Sequence, residues 1–287
     1  MSTCRDALRN HTELGGIGAH FPCGGERIRR LHTPCVPPAV VGLRGRAAIV
    51  TGGARGIGRA VAIELGRAGA DVCVNYLKSE AAANRTVRDL VGLKSDAFAV
   101  RADVGKAREA KRLVDAAAKR FGHLDILVNN VGDFLVKRIG DTSEAEWRHI
   151  LDSNLTTMFL CTKAALPHLR RQKWGRIVNV ACAGAYRAHG TAEMAAYYAA
   201  KAGVVAFTKA LAREEGSHFI TANAVAPGII DDYDLSIDAA KAKARKEFAI
   251  PRAETSWDVA HAVTYLCSED AGFVTGTVLQ VSGGWLQ

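Results

Sequence analysis

Tyr197 and Lys201 stand four residues apart in Tyr197-Tyr198-Ala199-Ala200-Lys201, the spacing that puts two side chains on one face of a helix. A free phenol titrates near ~10 and a free lysine near ~10.4, and a cation held beside a phenol favours loss of its proton, so the pair can act as acid or base near neutrality. The same spacing is common on solvated helix faces. The pair therefore gains meaning only from the elements that position it.

The first such element lies far upstream. A short apolar run, Ala47 to Val50, meets Thr51-Gly52-Gly53-Ala54-Arg55-Gly56-Ile57-Gly58, and a helical pattern follows through Ala60, Ile63, Leu65 and Ala68. Glycines at 52, 56 and 58 let the backbone turn tightly, approach a pyrophosphate and pack the helix on the sheet. The helix opening near Gly56 offers free N–H groups and a partial positive charge to phosphates. A ligand-free glycine turn is the plainer alternative.

In such a strand-turn-helix unit the end of the second strand reads the cofactor's 2′ group, and a carboxylate there accepts the ribose hydroxyls of NAD. Here the stretch is Val74-Asn75-Tyr76-Leu77-Lys78, without a carboxylate. Arg55 and Lys78 could instead neutralise a 2′-phosphate, with Tyr76 beside them, so NADP(H) is expected over NAD(H). Asp103, followed by Val104 at the end of the third strand, is placed to meet the adenine edge or to cap the next helix.

Further strands fit at Ala97 to Val100, Ile126 to Asn129, Arg176 to Val180, Thr221 to Val225 and Val278 to Val281, after one at Val72 to Val74. Helical stretches lie between them, including Ser79 to Leu90, Ser143 to Arg171 and Tyr197 to Glu215. This alternation predicts an α/β fold: a doubly wound, Rossmann-type sheet of about seven parallel strands with helices on both faces, in one domain over 44–287. Residues 1–43 form a separate block with Arg27, Arg29, Arg30 and the prolines at 34, 37 and 38. It is expected to be a poorly ordered extension. Its Gly15-Gly16-Ile17-Gly18 resembles half a nucleotide loop, but no strand precedes it and no amphipathic helix follows.

The 287 residues, 48% hydrophobic and 23% charged, suit one large soluble domain. No apolar run approaches the ~18–20 residues of a membrane span and no secretion signal opens the chain, so a cytoplasmic protein is expected. Seven cysteines without a CxxC pair argue against a disulfide framework and a zinc site; Cys73 and Cys161 read as core. A net charge of +9 favours polyanions such as phosphates or acidic carrier proteins. Scattered as it is, without interleaved aromatics, it does not imply nucleic acid.

Taken together, the residues from about Leu43 onward resemble the short-chain dehydrogenases/reductases. The resemblance rests on the TGxxxGIG turn at Thr51–Gly58, the NNAG-like Asn129-Asn130-Val131-Gly132, Asn154 in Asp152-Ser153-Asn154-Leu155, and the YxxxK pair at Tyr197 and Lys201. It extends to Asn223-Ala224-Val225-Ala226-Pro227-Gly228 and to Thr275-Gly276 with Ser282-Gly283-Gly284. The motif pattern is most like that of 3-oxoacyl-carrier-protein reductases. It implies hydride transfer between a nicotinamide and a carbonyl/alcohol pair: Tyr197 as proton donor, Lys201 lowering the phenol's pKa and binding the nicotinamide ribose, and Asn154 supporting a water relay. It also implies cofactor contacts from Asn130, Val131, Gly132, Pro227, Gly228 and Ile230, leaving Tyr198 to packing or pocket lining.

Two departures stand out. Cys182 occupies the place of the family's carbonyl-polarising serine, and a thiol is a weak donor. Three readings stand open: the thiol serves at reduced rate, a hydroxyl such as Thr191 or Tyr186 replaces it, or the site is specialised or degenerate, an NADP(H)-holding regulatory or scaffold protein; His189 is the only base nearby for a nucleophilic Cys182. Asp232 stands where the family has a threonine that meets the carboxamide.

The lid, about Asp231 to Ile250, sets substrate choice in this family. Its Lys241, Lys243, Arg245 and Lys246, with Arg170, Arg171 and Lys173, could receive an acidic acyl carrier or a CoA thioester, or simply be a solvated face. The family pairs its subunits through the two long helices, so a homotetramer acting on a small carbonyl compound is expected, with an NAD-dependent alcohol, sugar or steroid dehydrogenase as the alternative.

Overall fold

The computed structural model describes residues 42–285; the expected extension lies outside the described residues, except that Leu43 is already buried in the core. The strands are β1 (Ala47–Val50), β2 (Asp71–Tyr76), β3 (Ala97–Arg101), β4 (Ile126–Asn129), β5 (Gly175–Val180), β6 (Ile220–Pro227) and β7 (Val278–Val281). All are parallel, in the order β3-β2-β1-β4-β5-β6-β7. The expected doubly wound sheet is therefore present. Its winding reverses between β1 and β4, which opens a crevice at their carboxyl ends, where such sheets bind ligands.

Helices α1 (Gly56–Arg67), α2 (Glu80–Gly92) and α8 (Ser256–Cys267) contribute to the core on one face, and α3 (Ala107–Phe121), α5 (Thr157–Gln172) and α6 (Ala195–Glu215) to that on the other. Ala48, Val50, Val74, Val128 and Val178 enter the first core; Ile49, Cys73, Leu127 and Ile177 enter the second. Because both faces are covered, the strands read as unbroken apolar runs rather than alternating ones. Cys73 and Cys161 are fully buried core residues, as expected.

Two differences from the sequence reading bear on function. β2 and β6 run longer than expected, and β6 carries Pro227 to its end, where the Pro227 carbonyl accepts from Ala183 N at 2.7 Å. The single helix expected over Ser143 to Arg171 is α4 (Glu144–Leu151), a π-helical turn at Asp152–Thr156, and then α5. Such turns gather at functional sites because they push one residue out of helical register; here that segment holds Asn154. The lid contains α7 (Ile237–Lys241).

The glycine turn tolerates no side chain at one point. A Cβ on Gly58 would lie 2.3 Å from Gly52 O and 2.6 Å from Asn130 Nδ2. Gly58→Ala should thus lower the urea unfolding free energy by about 1–3 kcal/mol, the usual cost of overpacking; an unchanged urea midpoint would count against this packing.

Candidate active site

The strand ends around the crevice are tied to one another by polar groups. Thr51 Oγ1, just past β1, accepts from Asn130 N at 2.9 Å and Val131 N at 3.3 Å, and Asn130 Nδ2 donates to Thr51 O at 3.0 Å. Gly52 N donates to Asn75 Oδ1 at 3.2 Å, and Asn75 Nδ2 donates to Ala102 O at 3.0 Å. Asn75 is a tie that sequence reasoning missed. Its one signal is a polar residue inside an apolar strand.

Gly52 and Gly56 have φ of +62° and +54°, the left-handed region that side chains disfavour. No side chain caps the start of α1, so its first N–H groups are left for a ligand. Arg55 and Lys78 come together as expected, lining an open recess of about 620 Å3 with Ser79, Glu80, Asn84 and Arg85. Other members of the expected set have different surroundings. The Tyr76 ring packs against the core and Val104 is buried in it. Asp103 does not cap α3: its Oδ1 accepts from Gly105 N at 3.1 Å, and it pairs with Lys106 at 3.3 Å. Ile230 packs against the core as well.

Across the crevice, α6 carries Tyr197 and Lys201. Lys201 is only 4% exposed, its Nζ donates to Val180 O at 2.7 Å and lies 5.7 Å from the Tyr197 ring centre. Burial pushes this ammonium down to about 8. Asn154 Nδ2 donates to Asp133 O at 2.8 Å and Ile150 O at 3.0 Å, while its buried Oδ1 has no partner. A Cβ on Gly132 would sit 2.2 Å from that oxygen and 3.4 Å from Lys201 Nζ. Gly132 is thus what lets Asn154, Lys201 and the end of β4 share one space.

Cys182 follows β5 and shares an apolar cluster with Tyr197. Its thiol is pushed up to about 11, chiefly by burial and against the pull of Lys201, so it remains a protonated weak donor. The expected lowering of the Tyr197 pKa is not found in this geometry. Burial raises it, with Cys182, Tyr198 and Tyr233 adding to the effect, and the Lys201 ammonium is turned to Val180. Of the other groups considered, Tyr186 packs against the apolar cluster that holds Cys182 and Tyr198, Thr191 lies beside Tyr198, and His189 stands against the Tyr198 ring at 5.8 Å. Tyr198 itself is buried, as its packing role requires.

Asp232, at the family's threonine position, is engaged within the lid. Its Oδ1 accepts from Asp234 N at 3.1 Å and its Oδ2 pairs with Lys243 at 3.3 Å. Arg245 pairs with Asp231 and Glu247, Lys241 with Asp238, and Arg170 with Glu215. Most of the cations considered for carrier docking are therefore neutralised within the chain.

Sequence reading also missed Glu254, 5% exposed just before α8. Its Oε2 accepts from Gly228 N at 2.9 Å and its Oε1 has no partner, so it braces the turn after β6. Desolvation pushes its carboxyl up to about 8 against the Gly228 bond. A lone carboxylate in Arg252-Ala253-Glu254-Thr255 gives no sequence signal of such burial.

The residues fit a nicotinamide dinucleotide on three observations: an uncapped helix start behind positive-φ glycines, a cationic recess beside it, and an unpartnered Asn154 oxygen next to Lys201. Among the described residues, no cluster of His, Cys, Asp and Glu could hold a metal and no helix is long and apolar enough to cross a membrane.

A carboxyl whose folded pKa is raised binds more protons folded than unfolded between about 4.3 and the folded value, so its contribution to stability falls as pH rises through that window. For Glu254 the window ends near 8. Glu254→Gln should therefore melt higher relative to the wild type at pH 9 than at pH 5; a pH-independent difference in melting temperature would refute the buried neutral carboxyl.

Comparison with known proteins agrees with this geometry. The family model described as enoyl-(acyl carrier protein) reductase matches residues 52–286. The 3-oxoacyl-[acyl-carrier-protein] reductase FabG of Staphylococcus aureus is 38% identical over 244 residues, covering 83% of this chain and 97% of that protein. The 3-oxoacyl-[acyl-carrier-protein] reductase of Synechocystis is 37% identical over 246 residues, 84% and 97% of the two chains. A Serratia marcescens short-chain dehydrogenase/reductase structure superposes with a TM-score of 0.78 at 31% identity, over 85% of this chain and 99% of that one. The chain belongs to the short-chain dehydrogenase/reductase family, as an NAD(P)-dependent oxidoreductase acting on CH–OH/C=O groups.

Proposed function

We propose that the chain is an NADPH-dependent reductase of a 3-oxoacyl-type ketone, with Tyr197 as the general acid. The observation that carries this reading is the convergence of Tyr197, Lys201, Asn154 and Cys182 across one crevice from the uncapped glycine turn. The printed names of the relatives, reductases of 3-oxoacyl groups on an acyl carrier protein, support the substrate class.

When bound, NADPH supplies a hydride to the carbonyl carbon. The N–H groups at the start of α1 and the Arg55/Lys78 recess hold its phosphates, and the Thr51–Asn130 tie, Gly132 and the Pro227–Gly228 turn frame its nicotinamide end. Tyr197 gives its phenolic proton to the carbonyl oxygen as negative charge develops there. A phenol with a raised pKa keeps that proton until the alkoxide forms. A positioned acid of this kind supplies about 10²–10⁴ in rate. Lys201 holds positive charge beneath the site, and the free Asn154 oxygen accepts from the water or ammonium that returns the proton. Cys182 offers the carbonyl only a thiol donor.

In this reading the protein is cytoplasmic and a homotetramer paired through α5 and α6, where Phe159 is exposed on α5. A CoA or carrier thioester is the natural form of the acyl group. The weakened-site reading draws on Cys182 and on Asp232.

The test is NADPH oxidation with a 3-oxoacyl thioester. Cys182→Ser should raise kcat at least ~10-fold, because one good donor to a developing oxyanion is typically worth ~10²–10³. Arg55→Ala should raise the KM for NADPH by about 10-fold or more while leaving NADH nearly unaffected, as expected for loss of one charge-assisted contact of ~1.5–3 kcal/mol. Equal effects on both cofactors would contradict the NADPH assignment.

A further inference from the structure

Phe, Trp and Tyr make up only 7% of the chain, yet aromatic rings gather at the Tyr197 phenol. The Phe134 ring stands edge-on to the Tyr197 ring, centroids 4.8 Å apart and planes at 77°. Tyr198 lies behind Tyr197 at 6.0 Å, and Tyr233 of the lid comes near enough for its phenol to act on that of Tyr197. Tyr233 also rests over the glycine turn, where a Cβ on Gly56 would meet its ring at 3.3 Å.

Phe134 is 59% exposed and Val136 56%, while Leu135 between them packs inward beside Trp147 and Ile150. This is the alternation of an extended segment. The segment cannot easily turn its apolar side chains away, because it is pinned along its length. Asn154 Nδ2 donates to Asp133 O at 2.8 Å, Asp133 N donates to Ser153 Oγ at 3.3 Å, and Lys137 N donates to Glu193 O at 2.6 Å. The flanking cations are engaged with other partners, Lys137 with Glu146 and Arg138 with Glu193. A lone exposed apolar residue needs no explanation. A pinned pair that begins against the proposed proton donor does.

Resting on the reductase reading above, we propose that Phe134 is a specificity-determining residue: with Val136 it forms an apolar rail for a flat group on the ketone, so that the preferred substrate is a 3-oxo ester or thioester bearing an aryl group on its keto carbon. The ring centres are 4.8 Å apart, so a carbonyl bonded to the Tyr197 phenol has its substituent within reach of Phe134. Rings set edge to face leave slots that a planar π-system fills with contacts an alkyl chain cannot reproduce.

Ethyl benzoylacetate and ethyl acetoacetate share the ester and the ketone and differ in phenyl against methyl on the keto carbon. The aryl ketone is intrinsically the less reactive, so the readout is the change in the kcat/KM ratio on substitution. Phe134→Ala should lower the benzoylacetate/acetoacetate ratio by about 10-fold or more, within the ~10–200-fold range of apolar-pocket discrimination, mainly through KM. Phe134→Trp should retain most of the ratio. An unchanged ratio, with both esters still reduced, overturns the inference alone. An equal loss on both esters with a smaller assembly by light scattering assigns the rail to a subunit contact and overturns it too. If the wild type binds NADPH but reduces neither ester, the reductase reading falls and takes the inference with it.

Discussion

The buried ammonium of Lys201 is the constraint on which the site depends. A cation removed from water is costly unless paired and hydrogen-bonded, and Lys201 has the Val180 carbonyl as its close acceptor. Its charge is correspondingly disfavoured. The ammonium borders the same space beside Gly132 as the free oxygen of Asn154. That arrangement wants further acceptors, and the hydroxyls of a ribose with an ordered water are of that kind.

Each neighbouring element can be understood as holding that space open. The π-helical turn displaces Asn154 from helical register so that its amide reaches Asp133 and Ile150. Gly132 keeps a side chain out of the gap. The Thr51–Asn130 tie fixes β4 to the glycine turn, so the turn and the Gly132 end of β4 cannot drift independently. Glu254 does the same for the turn after β6, from the outside.

The fold was legible because both-face burial makes the parallel strands apolar throughout, and the glycine turn and the Tyr197/Lys201 spacing are local patterns. The π-helical turn was not, since a helix with one extra residue keeps nearly the same apolar period. Glu254, Phe134 and the Asn75 tie were not legible either, because their roles come from contacts across the chain. The partners of Asp232 were not legible for the same reason: counting from Pro227 gives its position along the lid, but not its pairing with Lys243. The direction of the Tyr197 shift was also beyond sequence, because proximity to a cation in number says nothing about where the ammonium points.

In the proposed reaction Tyr197 moves a proton without being needed to hold the cofactor. The most direct measurement is therefore NADPH affinity by fluorescence alongside single-turnover hydride transfer in Tyr197→Phe. Affinity within about 3-fold of the wild type and transfer slowed by ~10²-fold or more, the usual worth of a positioned acid, is the predicted result. Transfer at the wild-type rate would contradict it.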